Sequence, residues 1–248
     1  MIKKISTIIS LFFLTTIIQA QNNEDALQYK TYDELIELSE SYIEKKEEEY
    51  TEKEIQIITD VLREAKIHKD TLQISNAYKY HSWTYRNHKE AYLDSIIDLT
   101  EDNANKEYPG YAYIEKAGIY FLQKRNIKET LYYLNLARTY AKNNDNQYML
   151  YRVDYFLGVV RSEHLGEKEK ALESFKRCAR FFSNTIEPDD KYKYLYILHA
   201  IAEVYVYLQK NDSASFYNEL GYNEAIQSSD SDVLNTCLLY TSPSPRDA

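Results

Sequence analysis

The sequence predicts an all-α chain built as a stack of about five antiparallel helix pairs. Apolar residues recur at helical spacing along most of its length, in series such as Ile55, Ile58, Leu62, Ala65, then Ile127, Leu131, Leu134, Ala137, then Ala171, Phe175, Cys178, Phe182. Helix breakers are scarce, with five Gly and four Pro in 248 residues. No stretch alternates polar and apolar residues with the period of two that a half-buried strand needs.

Start signals divide this pattern into ten helices. A side-chain oxygen at the N-cap and a Glu three residues later satisfy backbone N–H groups that the first turn leaves unpaired, and Thr31 with Glu34, Thr51 with Glu54 and Asn126 with Glu129 all fit. The predicted spans are 31 to 48, 52 to 68, 71 to 87, 89 to 103, 110 to 125, 127 to 142, 147 to 163, 167 to 184, 191 to 210 and 213 to 228. Connections this short force antiparallel neighbours. Ten helices then pair as five hairpins of about 43 residues, a period in the solenoid range.

Both ends depart from the pattern. Residues 1 to 20 carry Lys3 and Lys4 before an uncharged stretch that closes on Ile18, Gln19 and Ala20, which predicts an export signal cut before Gln21. Its apolar core is shorter than the roughly 20 residues a spanning helix needs, and Ser6, Thr7, Ser10, Thr15 and Thr16 dilute it. Residues 237 to 248, CLLYTSPSPRDA, hold two of the four prolines and resemble translated sequencing-adapter read-through. Between the ends the expected organisation is divergent hairpins over 21 to 108 and more regular repeats over 109 to 236. Asp230, Ser231 and Asp232 before Val233 and Leu234 read as the cap and opening turn of an eleventh helix, so the natural chain is expected to continue past 236.

Charge and cysteine content exclude several classes. The formal charge of −9 becomes −11 when Lys3 and Lys4 leave with the signal, because Arg246 and Asp247 cancel in the tail. So acidic a chain is a poor nucleic-acid binder, since phosphate binding rests on Lys and Arg. Anionic membrane surfaces are disfavoured for the same reason, leaving membrane contact only to a segment beyond 236. With the tail set aside Cys178 stands alone, so no intrachain disulfide forms.

Aligned hairpins repeat a small and aromatic pattern. Ile114, Ala117, Gly118 and Phe121 on one helix precede Thr130, Leu134 and Ala137 on the next. Leu157 and Gly158 precede Ala171, Phe175 and Cys178 after a one-residue insertion near 164 to 166. Leu198, Ile201, Ala202 and Tyr205 precede Ala214. This set resembles the tetratricopeptide repeat family over about residues 110 to 228, and low Gly and Pro with high Ile, Lys, Asn and Tyr resemble exported members from Bacteroidetes. The spacings of 40 residues from Gly118 to Gly158 and 44 to Ala202 exceed the family's usual ~34.

The resemblance implies a right-handed solenoid and a groove lined by the first helix of each hairpin. Carried over, the lining positions are Ala112, Glu115, Ile119 and Leu122; Arg152, Tyr155, Val159 and Ser162; and Tyr196, His199, Glu203 and Tyr207. From these the partner-binding set is Glu115, Arg152, Tyr155, Tyr196, His199, Glu203 and Tyr207. Small residues such as Gly118 are expected to sit where helices approach closely. The basic and Asn constellation that clamps a C-terminal carboxylate in some members is absent, so an extended or helical peptide on aromatic pockets is the expected ligand.

Nothing in the sequence assembles an active site. His81 and His88 lie about 10.5 Å apart along a helix axis, too far to share a metal. No zinc-binding motif occurs, and Glu47, Glu48 and Glu49 belong to a solvated run. Glu40-Ser41 and Glu173-Ser174 lack the Gly-Leu-Met-Gln stretch of soluble lytic transglycosylases, which share a helical solenoid. No catalytic residue, metal or cofactor is therefore expected. Tyrosine is the most unusual feature, 26 residues against 8 Phe and the single Trp83; Tyr120, Tyr133, Tyr140, Tyr205 and Trp83 are expected in packing. Two functions follow: an exported, periplasmic protein-binding scaffold, or the sensory half of a longer regulator or sensor kinase.

Overall fold

The computed structural model describes residues 31–43, 51–102, 105–184 and 188–228. The expected export signal, the acidic run 47–49, the expected opening of an eleventh helix at 230–234 and residues 237–248 lie outside the described residues.

Among the described residues there are ten α-helices and no strand. They are α1 (Tyr32–Ile43), α2 (Glu52–His68), α3 (Thr71–Thr84), α4 (Lys89–Thr100), α5 (Gly110–Leu122), α6 (Ile127–Asn143), α7 (Gln147–Val160), α8 (Lys168–Phe182), α9 (Pro188–Tyr207) and α10 (Asn211–Ser228). A 3₁₀ turn, Arg86–His88, stands between α3 and α4, and a π turn, Arg161–Leu165, extends α7. The chain divides into two compact units between Leu99 and Thr100.

The predicted caps form. Thr31 and Glu34 exchange two bonds, each 3.2 Å, between side chain and backbone N–H. At Thr51 the backbone N–H donates to Glu54 Oε2 at 2.7 Å, while the Glu54 N–H donates to Thr51 Oγ1 at 3.3 Å. Asn126 Oδ1 accepts from the Glu129 N–H at 3.2 Å. Asp70 and Asn146 cap α3 and α7 in the same manner, accepting from Gln73 and Met149. The links turn on left-handed residues that are mostly not glycine: Lys69, Arg125, Asp145 and Gln209 have φ near +55°. α9 starts at Pro188, three residues before the predicted 191, since the fixed φ of proline suits the first helical position.

In the first unit α1 packs on α2 and α2 on α3. Leu35 of α1 meets Ile57 and Val61, and Ile58 on the same helix meets Ala77 and Tyr80 of α3. Trp83 stands edge-on to Tyr80 at 5.3 Å, the packing role expected of it.

In the second unit α5 to α10 each pack against the next helix in sequence. The sense is antiparallel: Cys178, late in α8, reaches the carbonyl of Tyr151, early in α7, while Arg161 beyond the end of α7 bonds Ser174 in the middle of α8. Ala171, Phe175, Cys178 and Phe182 are all buried, so the apolar stripe read on α8 is the face in contact. On α6 the buried positions are Thr130, Leu134, Ala137 and Ala141, with Ile127 and Leu131 half-buried beside them.

The expected close approach at Gly118 is corrected. A Cβ placed there meets nothing within 4 Å, whereas one at Gly158 lies 2.6 Å from Phe175 Cε1, and one at Gly110 collides with Met149 and Tyr140. The tight contacts are those of Gly158 with the buried Phe175 of the next helix, and of Gly110 with Tyr140 of α6 and Met149 of α7. Gly118 is small with no steric need to be.

The insertion between 164 and 166 is absorbed as the π turn. Gly166 closes it: its N–H donates to the Arg161 carbonyl, and its φ of +66° turns the chain so that the Glu167 N–H donates to the same oxygen at 3.0 Å.

Candidate binding face of the first helices

Helices α5, α7 and α9 are the first members of the three hairpins of the second unit, and they carry every residue of the expected groove set. The structure joins these residues in two groups. Glu115 Oε1 of α5 stands 3.8 Å from Arg152 Nη2 of α7, and the Arg152 guanidinium lies over the Tyr111 ring at 6.0 Å. Tyr155 of α7 lies close enough to Tyr196 and Glu203 of α9 for both to disfavour its phenolate.

Side chains on this face differ in how far they reach solvent. Tyr196 and Tyr207 are 53% and 66% exposed, and Glu203 is exposed between them on the same face of α9. Spacings of three, four and four residues place Tyr196, His199, Glu203 and Tyr207 in one row along that helix. His199 Nδ1 approaches Glu203 Oε2 at 3.8 Å. Burial lowers the His199 pKa from its ordinary value, against the opposing pull of Glu203.

Tyr155 is placed differently. Its ring packs on Phe175 at 5.6 Å, within the cluster of Ala171, Phe175, Cys178, Ile197, Ile201 and Val204, so it forms the floor of the face rather than a projecting anchor. Desolvation is the main reason its hydroxyl is pushed up to about 12.

The α5 contribution shrinks on inspection. Ala112 and Ile119 are buried, which removes them from any exposed groove, while Leu122 is exposed at the helix end. The reason is legible in GYAYIEKAGIYFL: a helix apolar nearly all round is an interior helix. Val159 is half-buried against the same cluster as Tyr155.

Lys168, from the first turn of α8, was not foreseen here. Its ammonium stands 4.1 Å from the Tyr207 ring centre and donates to Ser162 Oγ at 3.1 Å. No periodicity could reveal it, because the contact joins a second helix to the first helix of the following hairpin.

Other tyrosines hold the stack together. Tyr140 donates its hydroxyl to the Tyr108 carbonyl at 2.6 Å, Tyr120 stacks on Tyr133 at 5.4 Å, and buried Tyr205 accepts from Lys176 Nζ at 2.6 Å. Burial raises Tyr155 and Tyr113 to about 12, Glu101 adding to the effect at Tyr113, and it raises Tyr92, Tyr140 and Tyr194 as well. Above pH 10 the unfolded chain therefore releases protons that the native chain keeps, and stability must fall with rising pH. Urea midpoints measured between about pH 8 and pH 11.5 should hold steady to about 10 and then drop steeply. A flat profile through pH 11.5 would mean these hydroxyls ionise as freely as in the unfolded chain.

Among the described residues no three His, Cys, Asp or Glu side chains converge as metal ligands, and no helix is long and apolar enough to cross a membrane. No family model matches the chain, and no curated protein matches it. Among solved structures, the crystal structure of BtubC (BKLC) from P. vanneervenii is similar, with a TM-score of 0.58 over 87% of this chain and 84% of that one. At 13% identity this likeness concerns the fold alone.

Proposed function

We propose that the chain is a non-catalytic scaffold of the tetratricopeptide kind, whose first-helix face in the second unit holds a peptide segment of a protein partner. The observation that carries the reading is the α9 row. Tyr196 and Tyr207 project into solvent around Glu203, with Tyr155 beneath and Lys168 held over the far ring. Exposed tyrosines on a rigid helix give large contact area at small entropic cost, and each hydroxyl still reaches a polar partner. Leu122 and Leu165 are exposed as well, at the ends of α5 and of the π turn. Export to the periplasm is part of this proposal and rests on residues 1 to 20.

The test is replacement of Tyr196 and Tyr207 together by Ala, with capture of partners identified by mass spectrometry. Both side chains are exposed, so helicity and melting temperature should stay within error. Affinity for a captured partner should drop by about 100-fold or more, as two aromatic anchors of ordinary hot-spot strength imply. Undiminished capture by the double variant would move the binding surface off this face. Replacing Tyr155 as well adds nothing to the test, since its loss also opens the core.

A further inference from the structure

A second surface of the same unit lies between α8, α10 and the side of α9 that carries Tyr194 and Leu198. α8, α9 and α10 enclose an open cleft of about 460 Å³, within the size range of ligand sites. Leu198 and Leu220 line its apolar part, Phe216 stands in it 60% exposed, and Lys176 and Arg180 line the α8 side. Those two cations are four residues apart, so one face of α8 presents both.

Charge singles this cleft out. α8 carries Lys168, Lys170, Lys176, Arg177 and Arg180 against Glu169 and Glu173, in a chain whose formal charge is −9. Two of the five cations are neutralised by carboxylates, Lys170 with Glu167 at 2.7 Å and Arg177 with Asp154 at 3.1 Å, while Lys168 is held by Tyr207 and Ser162 away from the cleft. Lys176 bonds only a neutral phenol, that of Tyr205, and Arg180 has no carboxylate within ion-pair distance among the described residues. Both of these cations line the cleft, and among the described residues no acidic side chain lines it with them. Phe216, 60% exposed, shares the cleft with them, so an apolar contact and two cations stand together.

We propose that this cleft is a docking site for an acidic peptide segment of a partner, an apolar side chain seated against Phe216 and Leu220 and its flanking carboxylates met by Arg180 and Lys176. Arg180 is the specific reader, because a planar guanidinium takes a carboxylate through two parallel hydrogen bonds. A polyanion such as nucleic acid is the weaker fit, since two cations neutralise little of a phosphate chain and the apolar floor offers it nothing. The site is separate from the α9 row, so the scaffold holds two segments at once.

Three fluorescein-labelled twelve-residue peptides test this on the full chain by anisotropy. All carry the same two Leu and one Phe, with the remaining positions Glu-rich, Gln-rich or Lys-rich. The Glu peptide should bind at least about tenfold more tightly than the Gln peptide and weaken with added salt, while the Lys peptide should not bind. Arg180→Glu should reverse the order of the Glu and Lys peptides. Phe216→Ala should weaken the Glu peptide at least about tenfold, and the Tyr196→Ala/Tyr207→Ala variant should bind it as the parent does. Far-ultraviolet spectra confirm that each variant is folded, both altered side chains being exposed. Equal binding of Glu and Gln peptides, indifference to Arg180→Glu, retention of binding in Phe216→Ala, loss of it in the Tyr196 and Tyr207 variant, or no saturable binding of the Glu peptide would each overturn the proposal.

Discussion

Phe175→Ala should cost about 3–5 kcal/mol of unfolding free energy, more than any other single truncation proposed here, because a buried phenyl ring leaves a cavity that its neighbours refill only in part. The ring is 1% exposed and sits where α7, α8 and α9 share one cluster, against Tyr155 on one side and Gly158 on another. Gly158→Ala should cost about 1–3 kcal/mol by itself, since its methyl would stand 2.6 Å from the ring edge and the ring has little room to retreat. Together the two should cost less than the sum by about 1 kcal/mol or more, the methyl entering space that the ring has vacated. Gly118→Ala is the control. It meets nothing within 4 Å inside a helix, and there Ala gains up to about 1 kcal/mol over Gly. Urea unfolding followed by circular dichroism gives all four values. Strict additivity of the first two would show that Gly158 does not face Phe175.

Cys178 should be nearly inert in the folded chain. Its thiol is fully buried and within 3.4 Å of the Tyr151 carbonyl, and burial, aided by Asp154 and opposed by Arg177, pushes its pKa up to about 12. The thiolate is the reactive form, and a thiol held this far above the ordinary range carries very little of it near pH 8. In a Cys237→Ser chain, where Cys178 is the single thiol, an aromatic disulfide reagent should react in native buffer at least about 100-fold more slowly than in denaturant, burial limiting both ionisation and access. Readout is the absorbance of the released thiol. Fast labelling of the native chain would place Cys178 outside the α7 and α8 contact.

Much of the fold was readable because the signals were local. A Thr three residues before a Glu, and an apolar residue every third or fourth position, are settled within one or two helical turns, so the spans of α2, α6 and α10 agree with the structure within one or two residues. The end of α7 was less readable, since a π turn and a continued α-helix present the same apolar spacing until the extra residue has been counted. The site divides along the same line. That Tyr196, His199, Glu203 and Tyr207 share a face follows from helical geometry on one segment. That Tyr155 lies beneath them, that Lys168 caps Tyr207, and that Gly158 rather than Gly118 is the close approach all depend on which helix comes to lie against which. The resemblance to a repeat family supplied the order of helices but not the depth of each position, which is why Ala112 and Ile119 were misplaced into the groove.

The π turn at Arg161–Leu165 shows how the stack tolerates unequal units. One residue more in an α-helix would rotate everything after it by about 100°, swinging the stripe of α8 out of contact with α7. Widening a single turn at the end of the rod takes up that residue where it arises, and Gly166 returns the chain to its former heading. Ala171, Phe175 and Cys178 keep their facing as though nothing had been inserted. At this joint the number of residues and the direction in which the next helix faces are therefore separate quantities, the first taken up by the π turn and the second kept by the stripe of α8.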